Sequence, residues 1–158
     1  MSAFSPVRVL LADDDADIRD LVHFKLTGAG YAVHAVGDGA AAWDSFQADP
    51  PNVVVLDVQM PGLSGMDVLR RIREHPDAHT NAVPVVLLSA RSRDSDVDAG
   101  LAAGATDYLV KPFSPRALLS RVQGLLATHE PCRSGRPDPP RRAIAAQLGA
   151  HSNDLSTS

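Results

Sequence analysis

A chain of 158 residues, 44% hydrophobic and 22% charged, fits one globular domain plus a tail better than two domains. Its formal net charge of -4 argues against nonspecific attraction to nucleic acid or an anionic membrane, and no apolar run approaches the roughly 18 residues of a membrane span. The single cysteine, Cys132, cannot form an internal disulfide, and the N-terminus lacks the basic and apolar regions of a signal peptide. A soluble cytoplasmic protein, with no direct nucleic-acid partner and no membrane contact, is expected.

In chain order, short runs rich in Val and Leu predict strands over Val7–Ala12, Tyr31–Val36, Asn52–Leu56, Val83–Ser89 and Thr106–Val110. Helical periodicity fills the intervals near Asp15–Thr27, Gly39–Ala48, Gly65–Glu74 and Asp94–Ala103, and again near Pro115–Ala127. The punctuation agrees with these bounds. Gly28 and Gly30 close the first helix, Asp15 reads as its N-cap, Ser64 with Asp67 resembles a capping box, and Ser114-Pro115 reads as N-cap followed by N1. Trp43, Phe46 and Phe24 lie on helical patterns and are expected in the core.

Strand and helix alternating five times predict an α/β fold, a doubly wound five-stranded parallel sheet with helices on both faces. The expected flavodoxin-like order is 2-1-3-4-5, which opens a ligand crevice at the carboxyl ends of the first and third strands. From His129 the composition turns to Pro and Arg with few large apolar residues, so residues 1–128 are expected to form the domain and 129–158 a disordered tail. Residues 1–128 hold 11 Lys and Arg against 16 Asp and Glu.

The chemistry collects at strand ends. Asp57 ends the third apolar run, Asp13-Asp14-Asp15 follow the first, and Lys111-Pro112 follow the last. Three carboxylates in one crevice repel one another, and oxygen ligands with nearby phosphate chemistry suit Mg²⁺. The chain has thirteen Arg and only two Lys, which makes Lys111 informative, because a compact ammonium approaches an oxyanion as a point charge. The pocket suits acceptance of phosphate on a carboxylate, with Mg²⁺ and Lys111 balancing the oxygens in transfer.

Leu10-Leu11-Ala12-Asp13-Asp14-Asp15, Val55-Leu56-Asp57-Val58-Gln59-Met60-Pro61-Gly62, Leu88-Ser89-Ala90 and Asp107-Tyr108-Leu109-Val110-Lys111-Pro112-Phe113 together resemble the receiver domains of two-component response regulators. The resemblance covers about residues 7–127. It implies that Asp57 is the phosphoacceptor and that Asp13 and Asp14 organise Mg²⁺, with Asp14, Asp57 and the Gln59 backbone carbonyl as direct ligands. It further implies that Ser89 is the hydroxyl switch, Tyr108 the aromatic that follows it inward, and Lys111 the phosphate-binding cation. The implied partners are a sensor histidine kinase or phosphotransfer protein and a downstream protein target.

Several departures are specific to this chain. Ser89 stands where the family commonly has Thr, which keeps the hydroxyl and loses a methyl. Asp107 and Arg121 resemble two members of the charge network of the winged-helix subfamily, yet Val97–Leu101 lacks the basic residue of that network. Gln59 and Arg91 resemble the positions bordering the water that hydrolyses the phosphoryl group.

Other readings of the same residues are weaker. Acids at a helix N-terminus are common because the macrodipole favours them, which would account for Asp13–Asp15 alone but not for Asp57 and Lys111. His75 and His79 are interrupted by Pro76 and read as a solvated loop. An aspartyl-phosphate hydrolase of the haloacid dehalogenase type needs a general acid two residues after its nucleophile, and Gln59 cannot serve. The expected function is therefore a single-domain response regulator, not an enzyme beyond self-phosphorylation and autodephosphorylation. The alternative is the receiver half of a longer DNA-binding regulator.

Overall fold

The computed structural model describes residues 6–90 and 93–128. The strands are β1 (Arg8–Ala12), β2 (Ala32–Val36), β3 (Val53–Asp57), β4 (Val85–Ser89) and β5 (Asp107–Val110). The helices are α1 (Ala16–Gly28), α2 (Gly39–Ala48), α3 (Gly65–Arg73), α4 (Asp94–Ala102) and α5 (Pro115–Thr128). All pairings are parallel, in the order β2-β1-β3-β4-β5.

Alternation along the strands divides the core into two layers. Leu10, Val54, Leu56, Val85 and Leu87 face one side, where Phe46 of α2 and Val68, Leu69 and Ile72 of α3 bury them. Val9, Leu11, Val53, Val55, Val86 and Leu88 face the other, against Val22 and Leu26 of α1 and Leu118 and Val122 of α5. β3 and β4 are buried along their whole length, as central parallel strands covered on both faces should be.

The caps match their expected roles. Asp15 accepts from the Asp17 and Ile18 amides, Ser64 and Asp67 close a reciprocal capping box, and Ser114 Oγ accepts from the Ala117 amide at 3.0 Å. Every strand starts one or two residues later than expected, and β3 runs on to include Asp57. β4 begins at Val85 instead of Val83, because Pro84 has no N–H for the ladder and the Val83 carbonyl accepts from Arg73 Nη1 at 2.8 Å. A 3-10 turn over Thr80–Ala82, absent from the expected elements, carries the chain into that segment.

Phe24 corrects the expected core. Phe46 is fully buried and Trp43 partly so, stacked on Phe46 at 5.8 Å, but Phe24 is 78% exposed. α1 buries Val22 and Leu26, four residues apart, and Phe24 lies midway between them, on the opposite side of the helix. Leu21 is also exposed. The expected tail at 129–158, with Cys132, lies outside the described residues, as does Arg91. Among the described residues no helix is long and apolar enough to cross a membrane.

Candidate functional site

The carboxyl ends of β1 and β3, neighbours in the sheet, bring Asp13, Asp14 and Asp57 together. One carboxylate oxygen from each lies within 4.8 Å of the others, and among the described residues no other group of three or more His, Cys, Asp or Glu side chains is arranged to hold a metal. Asp13 is fully buried, Asp57 is 3% exposed, and Asp14 is exposed at the rim. β5 delivers Lys111 from the far side of β4, where its amide donates to the Ser89 carbonyl at 2.8 Å.

Lys111 Nζ stands 3.2 Å from Asp13 Oδ2 and 3.3 Å from Asp57 Oδ2, bridging the two buried acids. The other oxygens are held by the backbone. Asp13 Oδ1 accepts from the Asp15 amide at 2.9 Å, and Asp57 Oδ1 from the Gln59 amide at 3.2 Å. Asp13 Oδ2 is buried and has Lys111 as an ion-pair neighbour without a hydrogen bond of good geometry. That oxygen remains available to a ligand or its water shell.

The electrostatics point the same way. Burial, followed by the charge of Asp13, raises the Asp57 pKa from 3.8 to about 7, against the lowering effects of Lys111 and the Gln59 amide. Burial lowers the Lys111 pKa, but the Asp57 and Asp13 carboxylates outweigh it and the net direction is upward. Three carboxylates and one ammonium carry an excess of two negative charges when ionised, and one lysine does not fully compensate Asp57. A divalent cation with oxygen ligands fits this donor set.

The remaining expected residues are arranged around this centre. Ser89 is fully buried at the end of β4, beside the Asp57–Leu88 register pair. Tyr108 is partly buried, packed against the core layer that contains Leu87. The Gln59 side chain is exposed. His75 Nδ1 accepts from the Asp77 amide and its ring meets the edge of Phe46, so it serves its own loop. Arg121 Nη1 pairs with Asp107 Oδ1 at 2.7 Å.

Sequence reasoning missed two helix-opening glycines that let backbone segments pack closely. A Cβ on Gly65 would lie 2.3 Å from the Asp57 carbonyl oxygen, and one on Gly39 would lie 1.9 Å from that of Leu63. Both are backbone contacts that no rotamer change relieves. Gly65 opens α3 directly behind Ser64, so its place was visible, but the approach of its backbone to β3 is a tertiary fact.

The model of the response regulator receiver domain matches residues 9–123. Over 118 residues the chain is 43% identical to the transcriptional regulatory protein CseB of Streptomyces coelicolor, covering 75% of this chain and 48% of that protein. It is 43% identical over 126 residues to the response regulator MprA of Mycolicibacterium vanbaalenii, covering 80% and 53%. The chain thus spans about half the length of these two relatives. The chemotaxis response regulator CheY4 of Vibrio cholerae superposes with a TM-score of 0.72 at 33% identity, over 77% of this chain and 100% of that one. With its five-stranded order and strand-end acids in place, the chain belongs to the response regulator receiver domain family of two-component systems.

Proposed function

We propose that this receiver is a phosphoacceptor switch, taking a phosphoryl group on Asp57 from the histidine of a sensor kinase or phosphotransfer protein. The observation that carries the reading is the Lys111 ammonium, 3.3 Å from Asp57 Oδ2 and 3.2 Å from Asp13 Oδ2, beside the cluster of Asp13, Asp14 and Asp57. Asp14, Asp57 and the Gln59 backbone carbonyl would hold Mg²⁺, with Asp13 organising its water shell. When bound, the cation supplies positive charge to the phosphoryl oxygens.

A carboxylate oxygen of Asp57 forms the new O–P bond as the P–N bond of the donor imidazole breaks, and the electron pair returns to that nitrogen. Lys111 then exchanges part of its pairing with Asp57 for a phosphoryl oxygen. Ser89 donates its hydroxyl to another oxygen, and Tyr108 follows into the space beside it. This biases an existing equilibrium of the face built from α4, β5 and α5, which meets a downstream protein.

The domain is taken to run over residues 1–128, with 129–158 as a tail. The names and lengths of CseB and MprA favour the receiver of a longer regulator over the stand-alone receiver expected from the sequence. On that reading nucleic acid would be met by an output module and not by this pocket.

The test is phosphorylation with a small phosphodonor and Mg²⁺. Acid-labile label should appear on the chain and disappear in Asp57→Asn, while Asp14→Asn should weaken Mg²⁺ binding and slow labelling together. Full labelling of Asp57→Asn would move the acceptor elsewhere.

A further inference from the structure

We propose that Arg19 is a positioning residue for the cation site, holding the Asp13 carbonyl and thereby the peptide that carries Asp14. The inference rests on the metal reading above. Arg19 closes the first turn of α1, half-buried, and its Nη1 donates to the Asp13 carbonyl at 2.8 Å. A hydrogen bond from a charged donor is stronger than a neutral one, and it fixes the orientation of its acceptor.

The carbonyl needs such a partner because of where the sheet ends. The β1–β2 register stops at Ala12 and Val36, and the Asp13 amide still donates to the Val36 carbonyl at 3.2 Å. The chain after Val36 turns away into Gly37 and Asp38, the N-cap of α2. Arg19 meets the Asp13 carbonyl where the strand ladder no longer does. Asp13 is then held on both sides: Val36 accepts from the amide of the Ala12–Asp13 peptide, and Arg19 donates to the carbonyl of the Asp13–Asp14 peptide.

Gly37 supplies an independent observation. An added Cβ there would lie 3.1 Å from Arg19 Nη1 and 3.7 Å from its Cζ, with no other atom within 4 Å. Among the described residues the positive-φ glycines are Gly30, Gly62 and Gly104, so the backbone at Gly37 does not itself require glycine. What the missing side chain leaves is space for the guanidinium. Arg19, Gly37 and the Asp13 carbonyl form one unit beside the acids, touching none of the atoms that would bind the cation.

Groups that orient metal ligands typically matter by about tenfold to a hundredfold in affinity. The experiment is calorimetric titration of the unphosphorylated full chain with Mg²⁺, for wild type, Arg19→Ala, Gly37→Ala and the double variant. Arg19→Ala should raise the Kd about tenfold and Gly37→Ala about threefold, and Gly37→Ala should add nothing once Arg19 is gone. Should Arg19→Ala fail to fold, Arg19→Lys and Arg19→Gln replace it, Lys retaining more affinity than Gln. In metal-free protein the Asp14 amide resonance should move in the Arg19 variants and in Gly37→Ala, which a remote loss of stability would not produce.

A folded Arg19→Ala or Arg19→Gln that binds Mg²⁺ within twofold of wild type would overturn the assignment. So would a Gly37→Ala cost that is the same with and without the guanidinium. Absence of Mg²⁺ binding to the wild-type chain would remove the metal reading itself, and the inference with it.

Discussion

Gly65 abuts Asp57 through backbone alone: an added Cβ would lie 2.3 Å from the Asp57 carbonyl oxygen and 2.9 Å from its carbonyl carbon. The Gly65 amide also donates to the Val58 carbonyl at 3.0 Å, so α3 starts against the strand end that carries the proposed phosphoacceptor. Gly65→Ala must therefore separate α3 from β3. Overpacking of this kind costs about 1–3 kcal/mol, and the helical preference of Ala at the first helical position offsets little of it. Urea denaturation should show that loss, and labelling by a small phosphodonor should slow with it. Unchanged stability would mean that α3 can slide without penalty.

The raised Asp57 pKa makes a second prediction, for metal-free protein. The unfolded chain loses this proton near 3.8, whereas the folded chain keeps it to about 7, so between those values the native state binds more protons. Stability then falls as pH rises through the window, by at most about 1.4 kcal/mol per pH unit from this group. Asp57→Asn should flatten the fall relative to wild type in denaturation curves taken in chelator at pH 5, 6, 7 and 8. Saturating Mg²⁺ should restore stability above pH 7, because the ion binds the carboxylate and not the acid. Equal slopes in wild type and Asp57→Asn would assign the pH dependence to other groups.

The exposure of Phe24 makes the third prediction. Its ring adds little to the core, so Phe24→Ser should change folding stability by less than about 0.5 kcal/mol in the same denaturation assay. Phe46→Ala, in the fully buried position, should cost about 3–5 kcal/mol. A large loss on Phe24→Ser would return that ring to the core.

These cases show what the sequence makes legible. Strand runs, caps and the order of Asp13, Asp57 and Lys111 are carried by local pattern, since hydrophobic period and capping chemistry act within a few residues. Phe24 is not legible in the sequence because helical periodicity does not by itself fix which face of α1 is buried, and Val22 with Leu26 define that face. Arg19, Gly39 and Gly65 are silent in the sequence because their roles lie in contacts to backbone atoms on other elements, and Gly37 because it faces the Arg19 guanidinium across the fold. Nothing in the spacing of a lone glycine says that a strand end will pass within van der Waals distance.

Gly100 is buried within α4, and a Cβ on it would lie 3.0 Å from Leu87 Cδ1 and from Tyr108 Cδ2. Unlike the contacts at Gly65, these are side-chain atoms that can give way. Tyr108 lies on the edge strand and so has the freer path, and Gly100→Ala should push its ring toward solvent. If inward movement of Tyr108 is part of the switch, the variant favours the unswitched state. A bias of about 1 kcal/mol corresponds to roughly a fivefold shift in the equilibrium. The Tyr108 ring resonances should then move in unphosphorylated Gly100→Ala, and amide shifts over 94–121 induced by a phosphoryl mimic should shrink, while labelling of Asp57 proceeds. Phosphorylation-induced shifts of wild-type size in a variant with displaced Tyr108 resonances would separate the ring from the switch.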